Sequence, residues 1–283
     1  MKKIAKKIVL TGAAGRLGSY LREPLSKMSD ELVSTDIKDD IGKTYDGEVY
    51  MQADLASMDE MVKVMDGAEM VVHMGAFVDE GPFEQLLGPN FVGSYNVWEA
   101  GHKAGVRRVV YASSIHAVGM YPKNEFIGVD VPHRPDTFYG LAKCFTEDLG
   151  RMYWEKRGME SVHMRILSCA QANNARALGS YLSYDDLIQL VTRCLDTPVT
   201  GFSVIYGVSN NDRTPVDNSK ASFLGYRPKD NAEDVAAEVL ANEPQNDPQD
   251  AGHMCHGGPF ASVALGNSGL AGMNVIQDAK KTE

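Results

Sequence analysis

Long apolar runs, paired cysteines and a basic surface are what this 283-residue sequence lacks. No segment approaches the roughly 18 uninterrupted apolar residues that a bilayer span needs, so no membrane partner is expected. The opening MKKIAKK imitates the basic start of a secretory signal, but the apolar run behind it, Ile8-Val9-Leu10, is broken at once by Thr11-Gly12 and reads as a first strand. The four cysteines (Cys144, Cys169, Cys194, Cys255) form no CxxC pair, which leaves buried reduced thiols as the expectation and points to a cytoplasmic protein. Basic residues (28) are outnumbered by acidic ones (38), and the formal net charge of -10, with no lysine/arginine stripe, argues against a nucleic-acid partner. Repeats and low-complexity tracts are missing too, so the expected organisation is one cofactor domain with a smaller appendage.

What is present is alternation. Short apolar stretches at 7–11, 32–36, 70–73 and 108–113 read as strands, with a further strand ahead of Asp54. Between them, 17–27, 58–65 and 89–103 read as helices, the last with Phe91, Tyr95, Val97 and Trp98 as its buried face and Asn90 opening it. Further on come a helix over 139–156, a strand over 162–166, a helix over 183–195 with Ser183 as N-cap, and a strand over 202–209. This order predicts an α/β fold: a doubly wound parallel sheet of Rossmann type with a small C-terminal lobe and a tail. Residues 1–165 are expected to be mainly the dinucleotide-binding domain and 166–241 a small substrate lobe sharing the sheet. Residues 242–283, rich in Gly, Asn, Asp and Pro, are expected to be an arm or tail in a homo-oligomer contact.

VLTGAAGRLG places Gly12, Gly15 and Gly18 between a strand and a helix, where a pyrophosphate needs unobstructed backbone N–H groups and a helix N-terminus aimed at it. Asp36 closes the next strand 18 residues beyond Gly18 and would accept both adenosine ribose hydroxyls while repelling a 2′-phosphate, which favours NAD. Arg16 and Lys38 are the cations near enough in sequence to meet a phosphate. Asp54 suits the adenine edge or an ordinary helix cap.

Ligands of such sheets sit beyond the carboxyl ends of the strands. YASSIHAVG puts Ser113, Ser114 and His116 there, and TFYGLAK puts Tyr139 and Lys143 one turn apart on the following helix. An unperturbed phenol has a pKa of about 10, so acting as a base near neutrality needs a downward shift of about three units. A neighbouring ammonium supplies about one to three units of that. Ser114 would orient the substrate oxygen. Among the remaining candidates, His253, Cys255 and His256 fall short of a zinc pattern and no metal is expected, while Met58, Met61 and Met65 repeat at helical spacing and read as packing.

The glycine loop, Asp36, the serine pair, YxxxK, VVHMGA and FLGYRP together resemble the extended short-chain dehydrogenases/reductases. GPFEQLL, RPDTFYGLAKCF, YLSYDD, GYRPKDNAED and GGPF are similar to those of the uronate dehydrogenases, which oxidise the anomeric hydroxyl of glucuronate or galacturonate to a lactone with NAD. That resemblance implies Tyr139 as proton acceptor, with Lys143 and Ser114 beside it. It implies cofactor contacts at Gly12, Gly15, Arg16, Leu17, Gly18, Asp36, Ile37, Asp54, Leu55, Met74, Gly75, Ala76, Tyr139, Lys143 and Cys169. Sugar contacts are implied at Val78, Ser114, Ile115, His116, Tyr139, Ser168 and Arg176, the last gripping the substrate carboxylate. Val78 and Ile115 stand where the family pattern has serine and asparagine, and the loop before Arg176, CAQANNAR, is one residue shorter; these bear on which sugar acid is bound. A nucleotide-sugar epimerase or dehydratase and a non-catalytic NAD-binding protein are the competing functions. Only about 75 residues follow Arg165 before the tail, little room for a nucleotide-binding lobe.

Overall fold

A computed structural model describes residues 3–241 and 247–270. Seven parallel strands form one sheet in the order β3-β2-β1-β4-β5-β6-β7. They are β1 (Ala5–Thr11), β2 (Ser29–Asp36), β3 (Glu48–Gln52), β4 (Met70–His73), β5 (Arg108–Ser114), β6 (Glu160–Ile166) and β7 (Phe202–Gly207). Helices α1 (Arg16–Met28), α2 (Met58–Met65), α3 (Phe83–Leu86), α4 (Gly93–Ala104), α5 (Phe138–Arg157), α6 (Ala175–Ser180) and α7 (Tyr184–Asp196) make the crossovers.

Period-2 alternation divides the strands between two cores. Ile8 and Leu10 of β1 with Val110 of β5 pack on Leu21 and Leu25 of α1 and on Leu187 and Leu190 of α7. Val9, Val71 and Val109 face the other way, onto Val64 of α2, Trp98 of α4 and Leu149 of α5. Burying both faces is what a parallel sheet with crossover helices requires. The order reverses between β1 and β4, and the crevice outside the strand ends opens there.

Three expectations change. Asn90 does not open a helix: it lies in a π-helical turn, Leu87–Val92, that continues α3 into α4. Its side chain clamps the Phe77 backbone, taking N–H at 2.7 Å and giving to C=O at 2.9 Å, which fixes the loop after β4. Tyr95 is exposed while Val97 and Trp98 are fully buried, so the apolar face of α4 is narrower than its sequence implies. The seventh strand ends at Gly207, two residues early.

The chain beyond α7 adds α8 (Ala236–Ala241), α9 (Ala251–Met254) and α10 (Pro259–Ser262). Of the expected tail, residues 242–246 and 271–283 lie outside the described residues. The described part, 247–270, folds back on the body: His256 N donates to Tyr121 O at 2.9 Å and Gly257 N to Gly119 O at 2.8 Å. None of the described helices is long and apolar enough to cross a membrane.

Candidate active site

A cleft of about 910 Å³ runs along the carboxyl ends of β1, β2, β4 and β5. Its floor is the glycine loop. Gly12 has φ +70°, and a Cβ there would stand 2.6 Å from the Gly75 nitrogen, so only glycine lets the two loops meet. A Cβ on Gly18 would strike the Gly12 carbonyl. α1 starts without a side-chain cap, and its first turn (Arg16, Leu17, Gly18) lines the cleft. Unblocked glycine backbone leading into an uncapped helix N-terminus is what a pyrophosphate needs, so these residues fit a dinucleotide. Asp36 stands at the end of β2, its carboxylate taking the N–H of Ala14 at 3.0 Å and of Lys38 at 3.2 Å, with lone pairs left toward the cleft. Ile37, Asp54, Leu55, Met74, Gly75 and Ala76 complete that half. Asp54 does not cap α2; Ser57 does, and the Asp54 carboxylate takes the Ala56 N–H at 2.8 Å in a turn.

Beneath this floor, burial drives His73 down to about 3, so the ring is neutral. Thr11 Oγ1 lies 2.7 Å from His73 Nδ1 and takes the Gly75 N–H at 3.1 Å. The hydroxyl thus bridges the ring and the Gly75 N–H, holding the loop after β4 against the glycine loop.

At the other end of the cleft, Ser114 ends β5 and Thr137 caps α5, its hydroxyl taking the Gly140 N–H at 3.0 Å. That cap sets the first turn carrying Tyr139, with Lys143 one turn on. Tyr139, Ser114 and Lys143 all line the cleft. The Ser114 hydroxyl lies on the phenol's side of the cleft and favours its ionised form. Lys143 is buried, its Nζ donating to Ala112 O at 2.8 Å and lying 5.1 Å from the centre of the Tyr139 ring.

The electrostatics differ from the sequence expectation. Burial pushes the Tyr139 phenol upward, and the Ser114 hydroxyl is the one contribution favouring ionisation. Lys143 is driven down to about 7 by burial, against which Glu147 acts to keep it charged. The same low-dielectric surroundings therefore weaken the cation expected to favour the phenolate. Glu147 follows Lys143 by one turn. Burial works to raise its pKa, but hydrogen bonds from His133 (2.8 Å) and Arg165 (2.7 and 3.0 Å) bring it to about 2.

The sugar-side candidates separate. Ser168 and Cys169 line the cleft, the thiol pushed up to about 12 by burial and so protonated. Val78 stands at the rim, 53% exposed. Ile115 is a correction: it is 1% exposed and packs with Val118, Ile127 and Leu167, because the 3-10 turn after β5 points it into the core, away from the cleft. His116, next in that turn, does face the cleft, its Nδ1 2.7 Å from Asp136 Oδ2 and its ring stacked on Phe260 at 4.2 Å. Arg176 lines the cleft and donates to His256 O at 2.9 Å. Burial opposes its charge and the Asp136 carboxylate supports it.

Phe260, which lines the cleft, and Asp136, which pairs with His116, were not among the residues the sequence pointed to. Asp136 immediately precedes the N-cap of α5, and that position was the available signal; Phe260 arrives from the far end of the chain and had none but its place in GGPF. A smaller cleft of about 550 Å³, lined by His133, Glu147 and Arg165, lies apart and contains none of the expected site residues. His253 and His256 turn to different partners, the Asp247 N–H and Glu125 O, and among the described residues no cluster of three His, Cys, Asp or Glu is arranged to hold a metal.

Residues 8–176 match the model of the NAD dependent epimerase/dehydratase family. Uronate dehydrogenase of Agrobacterium fabrum (strain C58) is 41% identical over 256 residues, 90% of this chain and 96% of that protein. Among solved structures, a variant of uronate dehydrogenase from Agrobacterium tumefaciens complexed with NAD is similar with a TM-score of 0.87 and 40% identity, covering 92% of this chain and 98% of that one. Glucuronic acid dehydrogenase from Chromohalobacter salexigens gives 0.88 and 35%, again over 92% and 98%. Likeness that runs over nine-tenths of this chain and nearly all of each relative places it in the NAD dependent epimerase/dehydratase family, the extended short-chain dehydrogenases/reductases, alongside the uronate dehydrogenases.

Proposed function

We propose that this protein is an NAD-dependent dehydrogenase oxidising the anomeric C1 hydroxyl of a hexuronate, galacturonate or glucuronate, to its lactone. The observation that carries the reading is the meeting of Tyr139, Ser114 and Lys143 at one end of a cleft whose other end is the glycine loop and Asp36. NAD, when bound, supplies a hydride acceptor for C1 and a positive ring beside the phenol. The chain does the rest. Ser114 holds the C1 oxygen, and the Tyr139 oxygen takes the hydroxyl proton as the C1–H bond breaks. Lys143 has N–H bonds to spare beyond Ala112 O and holds the cofactor ribose. Asp136 fixes the His116 ring, whose free edge meets the sugar. Arg176 takes the carboxylate through a planar, charge-assisted pair.

NADH absorbance with purified protein tests this: turnover is expected with uronates and not with neutral aldoses. No reduction of NAD by any uronate, with NAD binding intact, would overturn it. The burial of Ile115 and the apolar rim at Val78 remove two hydrogen-bonding positions, which favours an acid-bearing sugar with fewer hydroxyls as the second substrate class to include.

The protein is further read as a homo-oligomer. Val92 and Tyr95 beside α4 and Leu141, Phe145 and Met152 along α5 are exposed at helical spacing, and the Phe91–Phe145 ring contact at 5.4 Å joins the two helices into one face. A second copy would cover it about a two-fold axis. Light scattering giving a monomer mass would refute that.

A further inference from the structure

Two acidic side chains after β4 take no part in the chemistry above. Glu80 is 1% exposed. Its Oε2 takes the backbone N–H of Tyr139 at 3.0 Å and its Oε1 the N–H of Gly266 at 2.9 Å, so one carboxylate joins the first turn of α5 to a segment 186 residues beyond Glu80 itself. Asp79 takes the N–H groups of Gly269 (2.8 Å) and Leu270 (3.0 Å) with Oδ1, and the Ser268 hydroxyl with Oδ2. Between this anchor and the one at Gly119–Lys123, the C-terminal segment presents Gly257, Phe260 and Leu270 to the cleft and its His256 carbonyl to Arg176.

We infer that Asp79 and Glu80 form a latch that seats the C-terminal segment as the sugar-side wall of the cleft, and that Glu80 is a positioning residue for Tyr139. The N–H of Tyr139 is one of the orphan donors of a helix N-terminus, and an acceptor reaching it from outside the helix fixes that turn and hence the direction of the phenol. Thr137 satisfies the next donor, so the turn is held from two sides. A buried carboxylate keeps both its N–H partners or leaves a polar group unpaired, which ties the seating of the wall to the placement of the proton acceptor.

The kinetic arm rests on the proposed activity; the exchange arm does not. Asp79→Ala and Glu80→Gln in the full chain are compared with wild type by amide hydrogen exchange, NAD titration and steady-state kinetics. Asp79→Ala should speed exchange over 256–270 by about tenfold, the scale of one or two lost hydrogen bonds, and raise KM for the uronate by a similar factor with kcat little changed. Glu80→Gln should add faster exchange in the first turn of α5 and a fall in kcat of about tenfold or more. NAD affinity should be kept in both. Unchanged exchange in both variants, or faster exchange throughout the chain with weakened NAD binding, would overturn the latch. If wild type oxidised no uronate the activity reading would fall, while exchange at 256–270 and in α5 would still decide this one.

Discussion

Burial drives the Tyr139 phenol up and the Lys143 ammonium down to about 7, so each stands nearer its neutral form than it would in water. The proposed role of the pair therefore calls for further positive charge close by, which an oxidised coenzyme ring would bring. Tyr139→Phe removes the phenol alone: turnover is expected to fall by about 10² to 10⁴, the range for a lost acid–base group, with calorimetric NAD affinity retained. Full activity in that variant would refute the proton assignment. Lys143→Met withdraws a cation that favours the phenolate, so the acid limb of kcat/KM should move to higher pH by about one unit or more. Arg176→Ala should raise KM for acidic sugars by about tenfold or more, the worth of a charge-assisted hydrogen bond, and leave NAD affinity unaffected.

At the scale of elements, α5 carries the site on one end and a buried ion network in its middle. Glu147 binds Arg165, His133 and, at 2.5 Å, the Ser113 hydroxyl, next to Ser114. Glu147→Gln leaves the Arg165 guanidinium without its counter-charge, and the expected loss is about 3 to 5 kcal/mol, read from denaturant unfolding. The helix over 139–156 was legible from its pattern, while its N-cap, Thr137, is seen only in the structure. The π-helical turn at Leu87–Val92 was not, because no residue pattern distinguishes it from α-helix and the Asn90 clamp on Phe77 exists only once the loop after β4 is in place. Arg22, Arg108 and Arg165 escaped in the same way: each is fully buried by pairing with an acid from another element, Glu48, Glu160 and Glu147 respectively.

For the whole molecule, two core histidines set a pH limit. Burial drives His73 to about 3 and His163 to about 4, well under their unfolded value of 6.5. Below 6.5 the unfolded chain binds protons that the fold does not, so stability is fully present above that pH and declines as pH falls from 6.5 toward 4 and 3. Glu147 adds a later loss, its folded value of about 2 standing below the usual 4.5, as pH falls from 4.5 toward 2. Scanning calorimetry should show Tm falling already between pH 6.5 and 5, before carboxylates titrate; a flat Tm there would contradict it.

By itself, the sequence determined the parallel sheet, the glycine loop, Asp36 and the Tyr139–Lys143 spacing. These follow from local rules: apolar period, turn chemistry, helix register. Only the tertiary structure decided that Ile115 turns inward, that the segment carrying Gly266 and Gly269 hydrogen-bonds to Glu80 and Asp79 beside the cleft, and that His116 pairs with Asp136. Each of those depends on side chains meeting across long stretches of chain, and the free energy of such a contact is absent until the fold brings its two partners together.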